Sequence, residues 1–123
     1  MSDEVTNFTK FYTSLVWKSL FEISLTTLED PIKAYMKLES LIPLLPNKII
    51  DEVDPLITEF KKKLVKKRKE LKEQYSDSLS THFLFIKYAR KEINEFVLKV
   101  LELISRRMEE LGLMYQVEKL YEG

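Results

Sequence analysis

Apolar residues recur at three- and four-residue intervals along most of the chain, the spacing that lines one face of an α-helix. Only two glycines occur, Gly112 and Gly123, and the four prolines sit at 31, 43, 46 and 55, so the last two thirds of the chain lack a strand-and-turn rhythm. The spacing predicts a first helix from about Val5 to Leu28. Asp30-Pro31 reads as an N-cap followed by proline in the first turn of a second helix, which ends near Ile42. Pro43 and Pro46 bracket an apolar connection. A short segment from Asn47 to Val53 leads to Asp54-Pro55, again cap plus proline, which opens a helix to about Tyr75. Ser76-Asp77-Ser78 is the clearest break. The longest helix starts around Ser80 or Thr81 and reaches Leu111, where Gly112 suits the left-handed position past a helix end, and a last helical piece covers Leu113 to Tyr121. The expected fold is all-α: an antiparallel bundle of about four main helices plus short helical pieces, in one domain over residues 1–123.

The helices are not equivalent. Projected at 100° per residue, the last long helix places Phe83, Ile86, Ala89, Ile93, Phe96, Val97, Val100, Leu103, Ile104, Met108 and Leu111 on one arc of about 160°. That is the pattern of a core helix. Arg90 and Arg107 project inside this arc, either snorkelling at its margin or pairing with a carboxylate or phosphate at an interface. In the first helix Phe8, Phe11, Tyr12, Leu15 and Val16 share one face, while Trp17, Leu20, Phe21, Leu25 and Leu28 fall mainly on the opposite one. A half-exposed helix cannot bury both. It bends near Trp17 to Ser19, or is sandwiched, or presents Trp17, Phe21, Leu25 and Leu28 to a protein partner, with Trp17 and Phe21 as a one-turn aromatic anchor. The helix after Pro55 has the narrowest seam, Leu56, Ile57, Phe60, Leu64, Leu71 and Tyr75 within about 100°, which places it at an edge of the bundle.

Charge changes this picture at one place. The net charge is zero, yet residues 1–60 carry −5, residues 61–72 carry +7 and residues 73–123 carry −2. The run KKKLVKKRKELK concentrates Lys61, Lys62, Lys63, Lys66, Lys67, Arg68, Lys69 and Lys72 on one helix. Glu59–Lys63 and Lys66–Glu70 have the spacing for pairs within the helix, but most of the block is unmatched. Closely spaced lysines neutralise phosphates and release counterions, so the block suits a nucleic-acid backbone. With one Arg, seven Lys, no Asn or Gln before Gln74 and no aromatic before Tyr75, it is poorly supplied for reading bases. A protein partner, a second copy or plain solvent are the competing readings of the same charge.

Other chemistry finds little purchase. The chain has no cysteine, which excludes disulfides and thiolate sites and fits a reducing, cytoplasmic setting. The polar start Ser2-Asp3-Glu4 is unlike a secretory leader, and no apolar run reaches membrane-spanning length. His82 is the single histidine, read as a capping or partly buried residue. Asp51, Glu52, Asp54 and Glu59 offer oxygen ligands without a second cluster, and Asp54 is better explained as a cap. No nucleophile elbow or glycine-rich phosphate loop is present, so neither an enzyme, a cofactor nor a small-molecule substrate is expected. The abundance of Lys, Ile and Glu beside few Asn and Gln fits a source in a hot environment, and the Lys and Ile fit an AT-rich genome as well. In size, helix content and basic edge the chain is similar in a general way to the helical small subunits of RNA-guided effector complexes, and to small helical proteins of viruses of thermophiles. No motif carries that likeness, and no residue role follows from it. The sequence points to a binding module: a small subunit of a nucleoprotein or protein assembly gripping a nucleic-acid backbone through residues 61–72, or, as the alternative, a protein-only inhibitor, adaptor or self-assembling bundle, viral or plasmid-encoded, that uses the first helix.

Overall fold

The computed structural model describes residues 2–114, with side chains from Glu4 onward. Among these residues there are four helices and no strand: α1 (Ser2–Glu29), α2 (Pro31–Leu41), α3 (Asn47–Tyr75) and α4 (Leu79–Glu110). They form the expected all-α antiparallel bundle.

The boundaries follow local chemistry. Asp30 takes an extended backbone and its carboxylate accepts the backbone N–H groups of Ile32 and Lys33 at 3.1 and 3.2 Å, capping α2 with Pro31 in the first turn. A single 3-10 turn, Ile42–Leu44, follows α2. The turn before α4 is held by Ser78, whose hydroxyl accepts the Thr81 N–H at 3.3 Å, and by the Thr81 hydroxyl, which donates to the Ser76 carbonyl at 2.6 Å. Helix α4 closes on Gly112 at φ +77°, with Gly112 N–H donating to Glu109 and Leu113 N–H to Met108. This crossed pair satisfies carbonyls that the helix end would otherwise leave open.

Two boundary expectations are corrected. The segment from Asn47 and the helix after Pro55 are one helix, because Ile49, Val53, Ile57 and Phe60 form a single buried seam across the proline. Pro55 is exposed, so the carbonyl one turn back, which loses its helical donor, faces water. Asp54 is therefore an interior helix residue and not a cap. Likewise, Leu113 and Met114 are not helical, and the rest of the piece expected to reach Tyr121 lies outside the described residues.

Helix α4 is the centre of the fold, packing against α1, α2 and α3. Its antiparallel course against α3 is marked by Arg107–Glu52 at 2.8 Å, the stacked rings of Phe96 and Phe60 at 4.0 Å, and Glu92–Lys63 at 2.9 Å. Helices α1 and α2 are also antiparallel, tied by Lys37–Glu22 at 2.6 Å and by the Tyr12 hydroxyl donating to the Leu44 carbonyl. The core draws Val16, Leu20 and Ile23 from α1, Ala34, Leu38 and Leu41 from α2, and Val97, Val100, Leu101, Ile104 and Met108 from α4.

The expected core arc of α4 is shifted. Phe83 and Leu111 are exposed, Ile86, Phe96 and Leu103 are half-buried, and Leu101, which projects at the edge of the arc but is not among the residues expected there, is buried. In the middle of the helix, where α1, α2 and α3 all pack on it, the buried residues Ala89 to Met108 project within about 120°. Toward its N-terminus it has only α3 for company, since before Ala89 on α4 and beyond Phe60 on α3 the only buried side chains described are Leu71 and Thr81.

Candidate nucleic-acid interface

The half of the α3–α4 pair nearest the Ser76–Ser78 turn carries the charge. Residues 61–91 contain eleven Lys or Arg against Glu70, Glu73 and Asp77, so Lys87, Arg90 and Lys91 of α4 extend the basic block beyond the stretch the linear run suggests. Packing sorts the block into two sets.

One set is turned toward neighbours. Lys61 meets Glu39 of α2 at 3.3 Å and Lys63 meets Glu92 of α4 at 2.9 Å. The Lys67 ammonium lies 4.9 Å from the centre of the Tyr88 ring, and the Arg68 guanidinium 5.9 Å from that of Phe85, distances at which a cation is drawn to the ring face. The bond to Glu92 raises the Lys63 pKa above its ordinary value. The Tyr35 hydroxyl beside it, together with Lys61, holds the Glu39 carboxyl below the usual range. The expected pairs within α3 do not form: Glu59 lies 3.8 Å from Lys62, Lys63 reaches across to α4, and no ion pair joins Lys66 to Glu70. A flank that faces a neighbouring helix offers a partner closer than one along its own surface.

The other set faces away from the bundle. Lys62, Lys66, Lys69 and Lys72 project within about 120° and over about 15 Å of helix. They surround Val65, which is 68% exposed, and with Thr58 and Lys61 most of them line a shallow depression on α3. Lys66, Lys69 and Lys72 have no ion pair among the described residues. Such a surface can hold several anionic groups at once.

The first-helix site is rearranged. Trp17 is 8% exposed and its indole N–H donates to the Leu113 carbonyl at 2.8 Å, so it is a core residue and not an interface anchor. Phe21, Leu25 and Leu28 are exposed as the interface reading requires. The two expected faces of α1 do not survive as such: Thr13, Val16, Trp17, Leu20, Ile23 and Thr27 are buried, a stripe that cuts between them. Of the two arginines, Arg90 is exposed, while Arg107 donates Nε and Nη2 to Glu52 and Nη1 to Glu110 at 2.8–2.9 Å. These carboxylates hold its guanidinium firmly in the charged form.

His82 is exposed rather than capping or partly buried; Ser78 is the cap, and the histidine borders a small cleft with Arg68, Lys72 and Phe85. Among the described residues, no three His, Asp or Glu side chains are placed to share a metal ion. None of the helices is long and apolar enough to cross a membrane. The contributions of Phe85, Tyr88 and Glu92 are invisible in the linear run. Counting outward from the Ser76–Ser78 turn would pair Lys67 with Tyr88 and Lys63 with Glu92, a signal available once the hairpin is assumed. Comparison with known protein families, curated proteins and solved structures finds no match.

Proposed function

We propose that the chain is a non-enzymatic binding module of a nucleoprotein assembly, gripping a nucleic-acid backbone through the basic arm formed by α3 and α4. The observation that carries this reading is the outward stripe Lys62, Lys66, Lys69 and Lys72, on an arm whose residues 61–91 hold eleven basic side chains and three acidic ones. Clustering like charges raises the free energy of the arm, and a polyanion relieves that repulsion while releasing its own counterions. The stripe itself contains no Asn or Gln, and exposed rings, those of Tyr75 and His82, adjoin it only at Lys72, which supports binding independent of base sequence. The absence of cysteine fits a cytoplasmic setting for this activity.

The test is fluorescence anisotropy with generic single- and double-stranded oligonucleotides across a salt series. Four phosphate contacts on duplex predict a log–log slope of affinity against salt near −3.6, about 0.9 per lysine. Reversing the four stripe lysines to Glu is expected to abolish binding. Binding with no salt dependence, or binding that survives the reversal, overturns the proposal.

A further inference from the structure

The exposed apolar side chains of α1 follow an order of their own. Phe8, Phe11, Leu15, Phe21, Leu25 and Leu28 are each between 43 and 82% exposed, on the side of the helix away from the buried stripe; Val5, also exposed, projects on the other side, in line with Ile23. Their spacing reads three, four, three to Lys18 and then three, four, three beyond it in the reverse sense, so the stripe is a palindrome centred on Lys18. A palindromic stripe on a helix is self-complementary under a two-fold axis, because the antiparallel copy presents the same spacing in register.

We infer that α1 docks on α1 of a second copy of this chain, antiparallel and centred on Lys18. In that register Phe8 meets Leu28 of the second copy, Phe11 meets Leu25, and Leu15 meets Phe21, so each large side chain finds an apolar partner and the aromatic residues are set against leucines. The stripe winds around the helix, so the two copies cross obliquely with their closest approach at Lys18. The two Lys18 side chains do not need to face each other. Glu22 of the other copy lies about 6 Å along the axis, within reach of a snorkelling lysine, and the symmetry makes the pair reciprocal.

The size of the stripe fits this occupant. Six side chains with this exposure offer on the order of 600 Å² per chain, so the pair buries about 1,200 Å² in all, at the lower edge of stable, specific interfaces. Dimerisation in the micromolar range is the corresponding expectation.

The experiment uses the whole chain. Sedimentation is expected to show a dimer of the 14.7 kDa chain at tens of micromolar, and Leu25→Glu, at an exposed site that leaves the helical circular dichroism intact, to weaken it at least tenfold. Register is tested by cysteine substitution, which the absence of native cysteine makes clean. Lys18→Cys should cross-link to itself under mild oxidation. Phe8→Cys should not, whereas Leu15→Cys should cross-link when mixed with Phe21→Cys, the pair beside the crossing, since disulfides form only where the backbones approach within about 7 Å. A mass that stays monomeric throughout, dimerisation untouched by Leu25→Glu, or self-cross-linking of Phe8→Cys as in a parallel pair, each overturns the inference.

Discussion

The half of the α3–α4 pair that reaches the Ser76–Ser78 turn and the half that lies under α1 and α2 belong to the same two helices, yet they are stabilised differently. The covered half buries Ile49, Val53, Ile57 and Phe60 with Ala89, Ile93, Val97 and Ile104 and joins its two helices by Arg107, which is paired with Glu52 and Glu110. The open half buries only Leu71 and Thr81 among the described residues and leaves Lys66, Lys69 and Lys72 of its outward stripe without an ion pair, while Lys62 has only Glu59 at 3.8 Å. Continuous helices can thus separate the work of holding a fold from the proposed work of meeting a polyanion, with the division falling near Phe60 and Ala89.

The sharpest way to break this comparison is to attack the covered side. Trp17→Ala is expected to destabilise the fold by about 3–5 kcal/mol in urea unfolding, through lost packing and the loss of the bond to Leu113; an unchanged unfolding midpoint would return Trp17 to the surface. Ile104→Ala, at a fully buried position of α4, should cost about 3 kcal/mol. Leu71→Ala on the open half should cost less, about 1–2 kcal/mol. Its signature is local: amide exchange should accelerate in residues 64–86 while Ile93 to Ile104 keep their protection. Equal acceleration in both regions would erase the proposed division.

Smaller effects sharpen the same line. Gly112→Ala, at φ +77° with open space around the added carbon, should cost about 1 kcal/mol from backbone conformation alone. Acid titration gives a further check. The carboxyls of Glu22, Glu39 and Glu52 are held below their ordinary value of 4.5 by, respectively, Lys37, the Tyr35 hydroxyl with Lys61, and Arg107. Their contribution is complete above that value and is lost as pH falls through the lower folded values. The unfolding midpoint should therefore stay level between about pH 8 and 5, and Glu52→Gln should blunt the decline below it.

Much of the fold is written in the chain locally. The Asp30-Pro31 cap, the Ser76 to Ser78 break and the Gly112 stop each depend on a few adjacent residues, and each falls where the spacing predicts. Asp54-Pro55 carries the same signal as Asp30-Pro31 but fails, because a buried seam on both sides of Pro55 outweighs a missing hydrogen bond on the wet face. The α1 stripe was legible as a surplus of apolar surface, but not its division. Which of Trp17 and Phe21 is buried depends on where α4 ends against α1, a relation between residues almost a hundred positions apart. The basic run was plain, whereas its sorting into matched and outward lysines needed the neighbours Glu39, Tyr88 and Glu92.

The bond from the Trp17 indole to the Leu113 carbonyl has a consequence for the order in which the molecule is made. α1 and α2 precede α4 and can pair before it exists, whereas the helix that covers their shared apolar face is complete only roughly 70 residues after α2 ends. At cellular elongation rates that is on the order of 4–14 s. Through this interval Val16, Trp17 and Leu20 are without the helix that will cover them, beside the outer stripe of the same α1. The nascent chain is then stickier than the finished protein, and the end of α4 is the step that closes that window.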